Sequence, residues 1–327
     1  MVRLSFCVAF AVLTLAPVAL ADGPSVSPGV SYGWDGVASP SAGVRYVTLP
    51  ANRNTELAVV RIRDGRVLTF WWLHGTWGVP LVTWEGGASG LSADGRTLVL
   101  ADSSAPARQR FWTKSSFLLI DTKDFRRQKV VTLHGNFAFD ALSPNGRMLY
   151  LIQHVSAADV SRYIVRAYDR DRSRLLPRAI ADRTQRGWVM QGLPMTRATS
   201  FDGRWVYTLY QNPRGYPFVH ALDTVRAQAH CIGIPWHGSQ DALPNVRLSL
   251  SGDGQRLTLN WRSGRRLLAV DTRTFRIAYP ARAHRFPWWI VGLSAGFAFV
   301  PLALGLLRVR ARPRSTPIPV RTGAETA

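Results

Sequence analysis

Cysteine is scarce in this sequence, which has two among its 327 residues. Cys7 lies inside an apolar N-terminal stretch that we expect to be removed, so that Cys231 alone remains in the mature chain. No intrachain disulfide can form from one cysteine. A domain of about 260 residues is large enough to be stable through its hydrophobic core, and we expect this one to depend on packing alone.

Glutamate is nearly absent from the part of the chain that we expect outside the cytoplasm, where it occurs only as Glu56 and Glu85. Glycosidases need two facing carboxylates, and Glu85 beside Trp84 is the one conceivable acid, although an ordinary loop carboxylate is the simpler interpretation. The sequence also has no Gly-x-Ser-x-Gly elbow, Gly-rich phosphate loop, Cys–His pair or calcium loop. These absences argue against several common classes of enzyme.

One short turn pattern occurs four times, and its glycines lie 51, 57 and 51 residues apart. The copies are Ser92-Ala93-Asp94-Gly95, Ser143-Pro144-Asn145-Gly146, Ser200-Phe201-Asp202-Gly203 and Ser251-Gly252-Asp253-Gly254. Asp-Gly and Asn-Gly favour the positive φ angles of tight hairpin turns, and an apolar or alternating run follows each copy. A hairpin that recurs about every 50 residues is typical of radial β repeats such as propeller blades.

A second repeated element supports this interpretation. Apolar segments end in an aspartate at spacings of 48, 54 and 48 residues, namely at Asp121, Asp169, Asp223 and Asp271. Each aspartate is followed by a short turn and another predicted strand, so that each unit has four strands, a to d. We expect the aspartates of both elements to cap their own backbone. A degenerate first unit begins at its strand b, Arg45–Leu49, and a strand around Val30–Trp34 is expected to complete it.

With these motifs the chain resembles the TolB, YVTN and WD40-like propeller repeats of bacterial envelope proteins. The best match is Ser143 to Leu151, which resembles the family pattern of a Ser-Pro-Asp-Gly turn followed by Arg or Lys and an apolar strand. The resemblance implies an all-β fold, a β-propeller of about five four-stranded blades over roughly residues 44–280. It implies little about function, because such propellers serve as scaffolds, binding proteins and enzymes.

Both ends of the chain carry apolar segments. Residues 4–20 follow Arg3 and precede the small-residue site Ala19-Leu20-Ala21, which predicts a cleaved signal peptide; an uncleaved anchor is the alternative. The 20 uncharged residues from Trp288 to Leu307 are long enough to span a membrane, and four arginines follow them, which predicts a cytoplasmic C-terminus; a buried helix is the alternative. We assign the chain as follows: 1–21 signal peptide, 22–43 N-terminal segment, 44–282 β-propeller domain, 286–307 transmembrane helix and 308–327 basic, proline-containing tail.

The formal net charge is +21, and only three of the 41 basic residues are lysines. Such a field attracts anionic partners, such as lipid head groups or wall polymers, but an arginine-rich genome gives the same composition without any selected function. Nucleic-acid binding is not expected, because the basic residues are scattered, no recognition motif occurs and the domain is predicted to be extracytoplasmic.

Candidate binding residues follow the fourth strand of the predicted units. His74, His134 and His237 each precede a glycine there, and Gln191 takes this place in the third unit. If these connections meet at one face around the central channel, the side chains line a funnel together with Trp77, Trp188 and Trp236. Sugar or aromatic ligands stack on such surfaces. The three histidines are weak metal candidates, since no carboxylate or cysteine lies near them at ligand spacing, and no cofactor is expected.

The sequence therefore predicts a single-pass membrane protein with an extracytoplasmic propeller that binds a protein or an envelope ligand without catalysis. Two alternatives stay open. One is a hydrolase or metal-dependent enzyme that uses the His/Trp/Arg-lined funnel, and the other is a binder of anionic envelope polymer.

Overall fold

A computed structural model describes residues 29–279 except 34, 104–110, 183 and 185–188. The predicted signal peptide, transmembrane helix and C-terminal tail lie outside the described residues. Within the described ranges there is no helix long and apolar enough to cross a membrane. Regular structure there consists of antiparallel β-strands with short 3₁₀ helices, which include Pro40–Ala42 and Gln240–Asn245. The predicted all-β class is confirmed.

The strands form five successive antiparallel sheets. Strand β1 (Val30–Ser31) comes first in the chain but belongs to the second sheet. Sheet 1 contains β2 (Val37–Ser39), β3 (Val44–Ala51), β4 (Asn54–Arg61) and β5 (Val67–His74). Sheet 2 contains β1 with β6 (Trp77–Pro80), β7 (Thr97–Asp102), β8 (Lys114–Asp121) and β9 (Gln128–His134).

Sheet 3 contains β10 (Asn136–Leu142), β11 (Met148–His154), β12 (Arg162–Asp169), β13 (Arg174–Leu175) and β14 (Met190–Gln191). Sheet 4 contains β15 (Leu193–Thr199), β16 (Trp205–Gln211), β17 (Phe218–Asp223) and β18 (Gln228–Gly233). Sheet 5 contains β19 (Val246–Leu250), β20 (Arg256–Trp261), β21 (Arg266–Asp271) and β22 (Ile277–Ala278).

Two details of the predicted strand plan are wrong. The N-terminal strand does not complete the first sheet: Val30 pairs with Pro80 of sheet 2, and β2 takes the first position of sheet 1 ahead of β3. The strand predicted after Asp169 is short: β13 ends at Leu175, Ile180 makes an isolated bridge with Val165, and β14 also pairs with β12. Register with a neighbouring strand is a nonlocal property, which explains both errors.

The four repeated turns adopt one geometry. Their glycines have φ angles of 70°, 66°, 70° and 69° in chain order. In each turn the serine hydroxyl donates to the Asp or Asn side chain at 2.5–3.0 Å, and the same side-chain oxygen accepts the backbone N–H two residues further on. The serine oxygen also accepts the N–H that opens the next strand, for instance from Thr97 at 2.9 Å. This network starts the second strand of sheets 2 to 5 in the same way.

Consecutive sheets pack face to face through separate hydrophobic clusters. The pairs are sheets 1 and 2, 2 and 3, 3 and 4, and 4 and 5, with fully buried members such as Leu98, Phe117, Tyr150 and Leu259. This is how propeller blades cover each other's apolar faces.

The repeated turns, and the loop between β6 and β7, also make contacts between different sheets. A Cβ on Gly203 of sheet 4 would lie 2.5 Å from the Cβ of Ala93 in sheet 2. The loop between β6 and β7 reaches further, because the Trp84 N–H donates to the Pro194 carbonyl of sheet 4 at 2.7 Å. Sheets 2, 3 and 4 therefore surround a shared centre, as blades do.

Candidate functional site

The repeated aspartates are engaged in holding turns, as predicted. Asp223 accepts the backbone N–H groups of Val225 and Arg226, both at 3.0 Å, and pairs with Arg204 at 2.8 Å. Asp271 accepts the N–H groups of Arg273 and Thr274 in the same manner. The pKa of Asp271 is lowered by hydrogen bonds from the backbone N–H and hydroxyl of Thr274 and from the backbone N–H of Arg273. These carboxylates hold the turns at the end of strand c.

Glu85, the one conceivable acid in the sequence, lies in the loop between β6 and β7. Its carboxylate pairs with Arg247 of β19 at 2.8 Å, so that this side chain ties sheet 2 to sheet 5. An ion pair that joins two sheets is a structural contact, and we assign Glu85 no chemical role.

The histidines predicted to meet in a funnel are exposed at separate places. His74 and His134 lie at the ends of the fourth strands of sheets 1 and 2, and His237 lies in the connection from β18 to β19. Within the described residues there is no group of three or more His, Cys, Asp or Glu side chains that could hold a metal ion. The weak metal site considered for these histidines is therefore not formed in the described part of the chain, and their role as ligand-binding residues stays a prediction.

The other predicted site residues are divided among different environments. Trp77 is buried between sheets 1 and 2, and its Nε1 donates to the His74 carbonyl at 2.6 Å, which makes it a core side chain. Gln191 donates to the Asp159 carboxylate at 3.0 Å and is a loop-fixing residue. Trp188 lies outside the described residues. Trp236 and His237 line a common surface pocket.

That pocket is a groove of about 460 Å³ beside sheet 5. We call it the aromatic groove and define its main walls by Trp236, Trp261, Arg265 and Tyr279, with His237 at its edge. The ring centroids of Trp236 and Trp261 are 5.9 Å apart at an angle of 52°, and the Arg265 guanidinium lies 5.7 Å from the Trp261 ring centroid. Tyr279 is 60% exposed and leaves its ring accessible.

The loop that carries Trp236 is held on both sides. Ile234 is fully buried in the core between sheets 4 and 5, and the Trp236 Nε1 donates to the Ser239 carbonyl at 3.1 Å. Ser239 is the N-cap of the following 3₁₀ helix, and its side chain accepts the Asp241 N–H. The Gln240 side chain then bonds the loop after β16, with Nε2 2.7 Å from the Asn212 carbonyl. The groove is therefore fixed before a ligand arrives, which lowers the entropic cost of binding.

Three walls of the groove were not among the predicted site residues. Trp261 ends the second strand of sheet 5, and Arg265 lies in the next turn. Tyr279 follows the last strand of the sheet. The sequence signal that could have pointed to this groove is a tryptophan at the end of a strand, Trp261, followed by arginines at 265 and 266.

A Cys–His contact not expected from the sequence lies between sheets 3 and 4. The Cys231 Sγ is 3.7 Å from the Nδ1 of His220, which is buried. Burial lowers the pKa of His220 to about 4, and burial together with the Asp182 charge raises the pKa of the Cys231 thiol to about 12. Both groups are neutral at pH 7, whereas a nucleophilic cysteine needs a thiolate. We assign this pair to the core.

No family model and no curated protein sequence matches this chain. Among solved structures it is similar to the hydrazine synthase of Kuenenia stuttgartiensis, with 14% identity, 78% of this chain and 80% of that chain covered and a TM-score of 0.41. It is similar to the Cps50 (Swd1) β-propeller domain of Myceliophteria thermophila, with 12% identity, coverage of 72% and 62% and a TM-score of 0.40. It is also similar to the putative TolB of Agrobacterium tumefaciens, with 12% identity, 74% of this chain and 78% of that chain covered and a TM-score of 0.41.

At such low identity and TM-score, no residue of the neighbours is matched to a residue of this chain.

Proposed function

We propose that this protein is a membrane-anchored, extracytoplasmic β-propeller that binds a glycan of the cell envelope in the aromatic groove and performs no catalysis. The observation that carries the proposal is the preformed groove of Trp236, Trp261, Arg265 and Tyr279. Its volume lies within the range of about 300–1,000 Å³ that is usual for ligand pockets.

The chemistry of the groove suits a sugar ring. Indole and phenol rings offer flat apolar surfaces to the C–H faces of a pyranose, and a guanidinium donates hydrogen bonds to its hydroxyl and acidic groups. Arg265 lies beside the Trp261 ring, so both kinds of contact are available at once. The net charge of +21 favours an acidic polymer over a neutral one.

The anchoring part of the proposal rests on the sequence of residues 286–307 and on the predicted signal peptide. Deletion of residues 286–327 is expected to move the protein from the membrane fraction to the soluble extracytoplasmic fraction. If the shortened protein stays with the membrane in salt-washed vesicles, the proposed anchor is wrong.

The binding part is tested with the trimer of galacturonic acid, an acidic glycan, as a probe, by isothermal titration calorimetry on the full-length protein. Trp236→Ala and Tyr279→Ala each remove one stacking wall and are expected to weaken binding about tenfold. Trp72→Ala is the matched control, because Trp72 is 54% exposed on β5, outside the groove. The proposal is overturned if the wild type does not bind the trimer or if all three variants weaken it equally.

A further inference from the structure

A second and larger cleft, of about 910 Å³, lies on the outer part of sheet 4. Its walls come from four parts of the chain: the segment after β13, Trp205 at the start of β16, the turn from β17 to β18 with the first residues of β18, and Phe275 of sheet 5. We call it the His230 cleft. It shares no lining residue with the aromatic groove.

The centre of this cleft is a histidine oriented by a buried carboxylate. The Nδ1 of His230 lies 2.9 Å from Oδ2 of Asp182, whose side chain is 5% exposed. Asp182 is itself fixed by the Cys231 N–H at 2.9 Å and by the N–H and hydroxyl of Thr184 at 2.8 and 2.7 Å. The other ring nitrogen of His230 has no hydrogen-bond partner in the described part of the chain. A carboxylate held in this way fixes the orientation of the imidazole ring.

Aromatic rings form the wall beside this imidazole. Phe275 stacks on His230 with centroids 4.4 Å apart, and Trp205 meets Phe275 edge-on at 5.8 Å. Phe275 has a φ of +56°, a region that bulky residues rarely adopt. In sheets 3 and 4 the residues that follow the aspartate by the same interval are the small Ser173 and Ala227, also at positive φ. Phe275 also packs against the core between sheets 4 and 5, so its ring is held in place beside His230.

The charge of the cleft is positive once its ion pairs are counted. Both lining carboxylates are occupied, Asp182 as described and Asp223 by Arg204 at 2.8 Å. Arg178 and Arg226 also line the cleft, and among the described residues neither guanidinium has an ion-pair partner. Two free guanidiniums, a fixed imidazole and aromatic walls together favour an anion that carries a flat apolar group.

We propose that the His230 cleft binds an aryl oxyanion, that is, a phosphate or carboxylate attached to an aromatic ring. The anion accepts hydrogen bonds from Arg178, Arg226 and, in the imidazolium form, the Nε2–H of His230, and the ring packs against Phe275 and Trp205. The proposal does not depend on glycan binding in the aromatic groove, since the two pockets have separate walls.

Phenyl phosphate, benzoate and inorganic phosphate are the probes, titrated calorimetrically into the full-length protein at low salt. Phenyl phosphate is expected to bind at least about tenfold more tightly than inorganic phosphate, because the ring adds aromatic contacts. The ratio of phenyl phosphate to benzoate affinity distinguishes a phosphate from a carboxylate ligand.

Variants assign the site. Arg226→Gln and Arg178→Gln lie at exposed positions that leave the core intact, and each is expected to weaken phenyl phosphate binding about tenfold. Phe275→Leu is expected to reduce the preference for phenyl phosphate over inorganic phosphate. Arg273→Gln is the matched control, because it removes an exposed charge from the same sheet as Phe275 without altering the cleft lining.

Three results would overturn the proposal: no binding of either aryl anion by the wild type, equal weakening by Arg273→Gln, or unchanged binding in a doubly substituted Arg178→Gln/Arg226→Gln protein. His230→Gln removes the imidazole and is expected to weaken phenyl phosphate binding. Asp182→Asn keeps the imidazole but weakens the contact that orients it, so it should cause part of the same loss of affinity. Binding of the glycan probe should persist in every one of these variants, so failure of one proposal leaves the other testable.

Discussion

The backbone N–H of Asp94 donates to the carbonyl of Pro144 at 3.0 Å, which joins the repeated turn of sheet 2 to that of sheet 3. The two residues belong to equivalent turns 51 residues apart in the chain. Because the third copy, through Gly203, also contacts Ala93 and Pro144, the turns form a small cluster at the centre of the sheets. The motif that starts each hairpin thus also packs the sheets together.

Substitution of Gly203 by alanine tests this cluster. Gly203 has a φ of +70°, and an added Cβ would lie 2.5 Å from the Cβ of Ala93. The left-handed backbone costs an alanine about 1–2 kcal/mol, and the steric clash adds to it. We expect the free energy of unfolding, measured by urea denaturation, to fall by about 2–4 kcal/mol.

Gly254→Ala is the matched control, because Gly254 has a φ of +69° but nothing within 4 Å of an added Cβ. It should show the backbone cost alone. If both substitutions destabilise the protein equally, the turns do not pack as described.

Acid sensitivity should originate partly in the turn aspartates. The Ser200 hydroxyl lowers the pKa of Asp202, and the Ser251 hydroxyl lowers that of Asp253. A carboxyl whose pKa is lower in the folded state stabilises the fold above its unfolded pKa of about 3.9, and this stabilisation is lost as the pH falls through the folded pKa.

Asparagine is the natural control for this effect, since Asn145 occupies the same position in sheet 3 and makes the same hydrogen bonds. The double variant Asp202→Asn/Asp253→Asn keeps these hydrogen bonds but lacks the charges, so it should be somewhat less stable than the wild type at pH 7 and should lose less stability between pH 5 and 3. The measurement is the urea midpoint of each protein across this pH range. If the midpoints of the two proteins fall in parallel, the turn aspartates do not contribute to acid sensitivity.

Local features of the fold were predictable from the sequence, and contacts between distant segments were not. The turns at Gly95, Gly146, Gly203 and Gly254 follow from side chains within five residues of one another. The groove depends on Trp236 and Tyr279, which reach one pocket from different segments. The pair of Asp182 and His230 joins residues of two sheets, and neither residue belongs to a repeated motif that would mark it. Such residues are brought together by packing between sheets. This packing leaves no recurring pattern in a single sequence, so the contacts could not be predicted from it.

The buried ion pair between Asp140 and Arg197 is expected to dominate stability at the contact of sheets 3 and 4. Asp140 lies at a bulge of β10, and Arg197 donates to both its carboxylate and its backbone carbonyl, while the Arg197 Nε donates to Thr208 at 2.9 Å. Arg197→Met leaves Asp140 buried without its partner and should cost about 3–5 kcal/mol.

A double-mutant cycle separates pairing from packing. Asp140→Asn combined with Arg197→Met removes both charges, so it should recover part of the stability lost in Arg197→Met alone. Additive losses in urea denaturation would mean that the two side chains are not coupled.

The Cys231 thiol is expected to react slowly in the folded protein. Its pKa is raised to about 12, first by burial and then by the charge of Asp182. At pH 8 the thiolate fraction should then be lower than that of an ordinary cysteine, with a pKa of about 8.5, by roughly a thousandfold.

Alkylation by iodoacetamide is measured in a Cys7→Ser background, so that Cys231 is the only thiol. We expect the rate to rise by about three orders of magnitude in 8 M urea, because unfolding removes both causes of the raised pKa. A folded-state rate within a few fold of the unfolded one would contradict the core assignment of the Cys231–His220 pair and make a reactive thiol at this position the better interpretation.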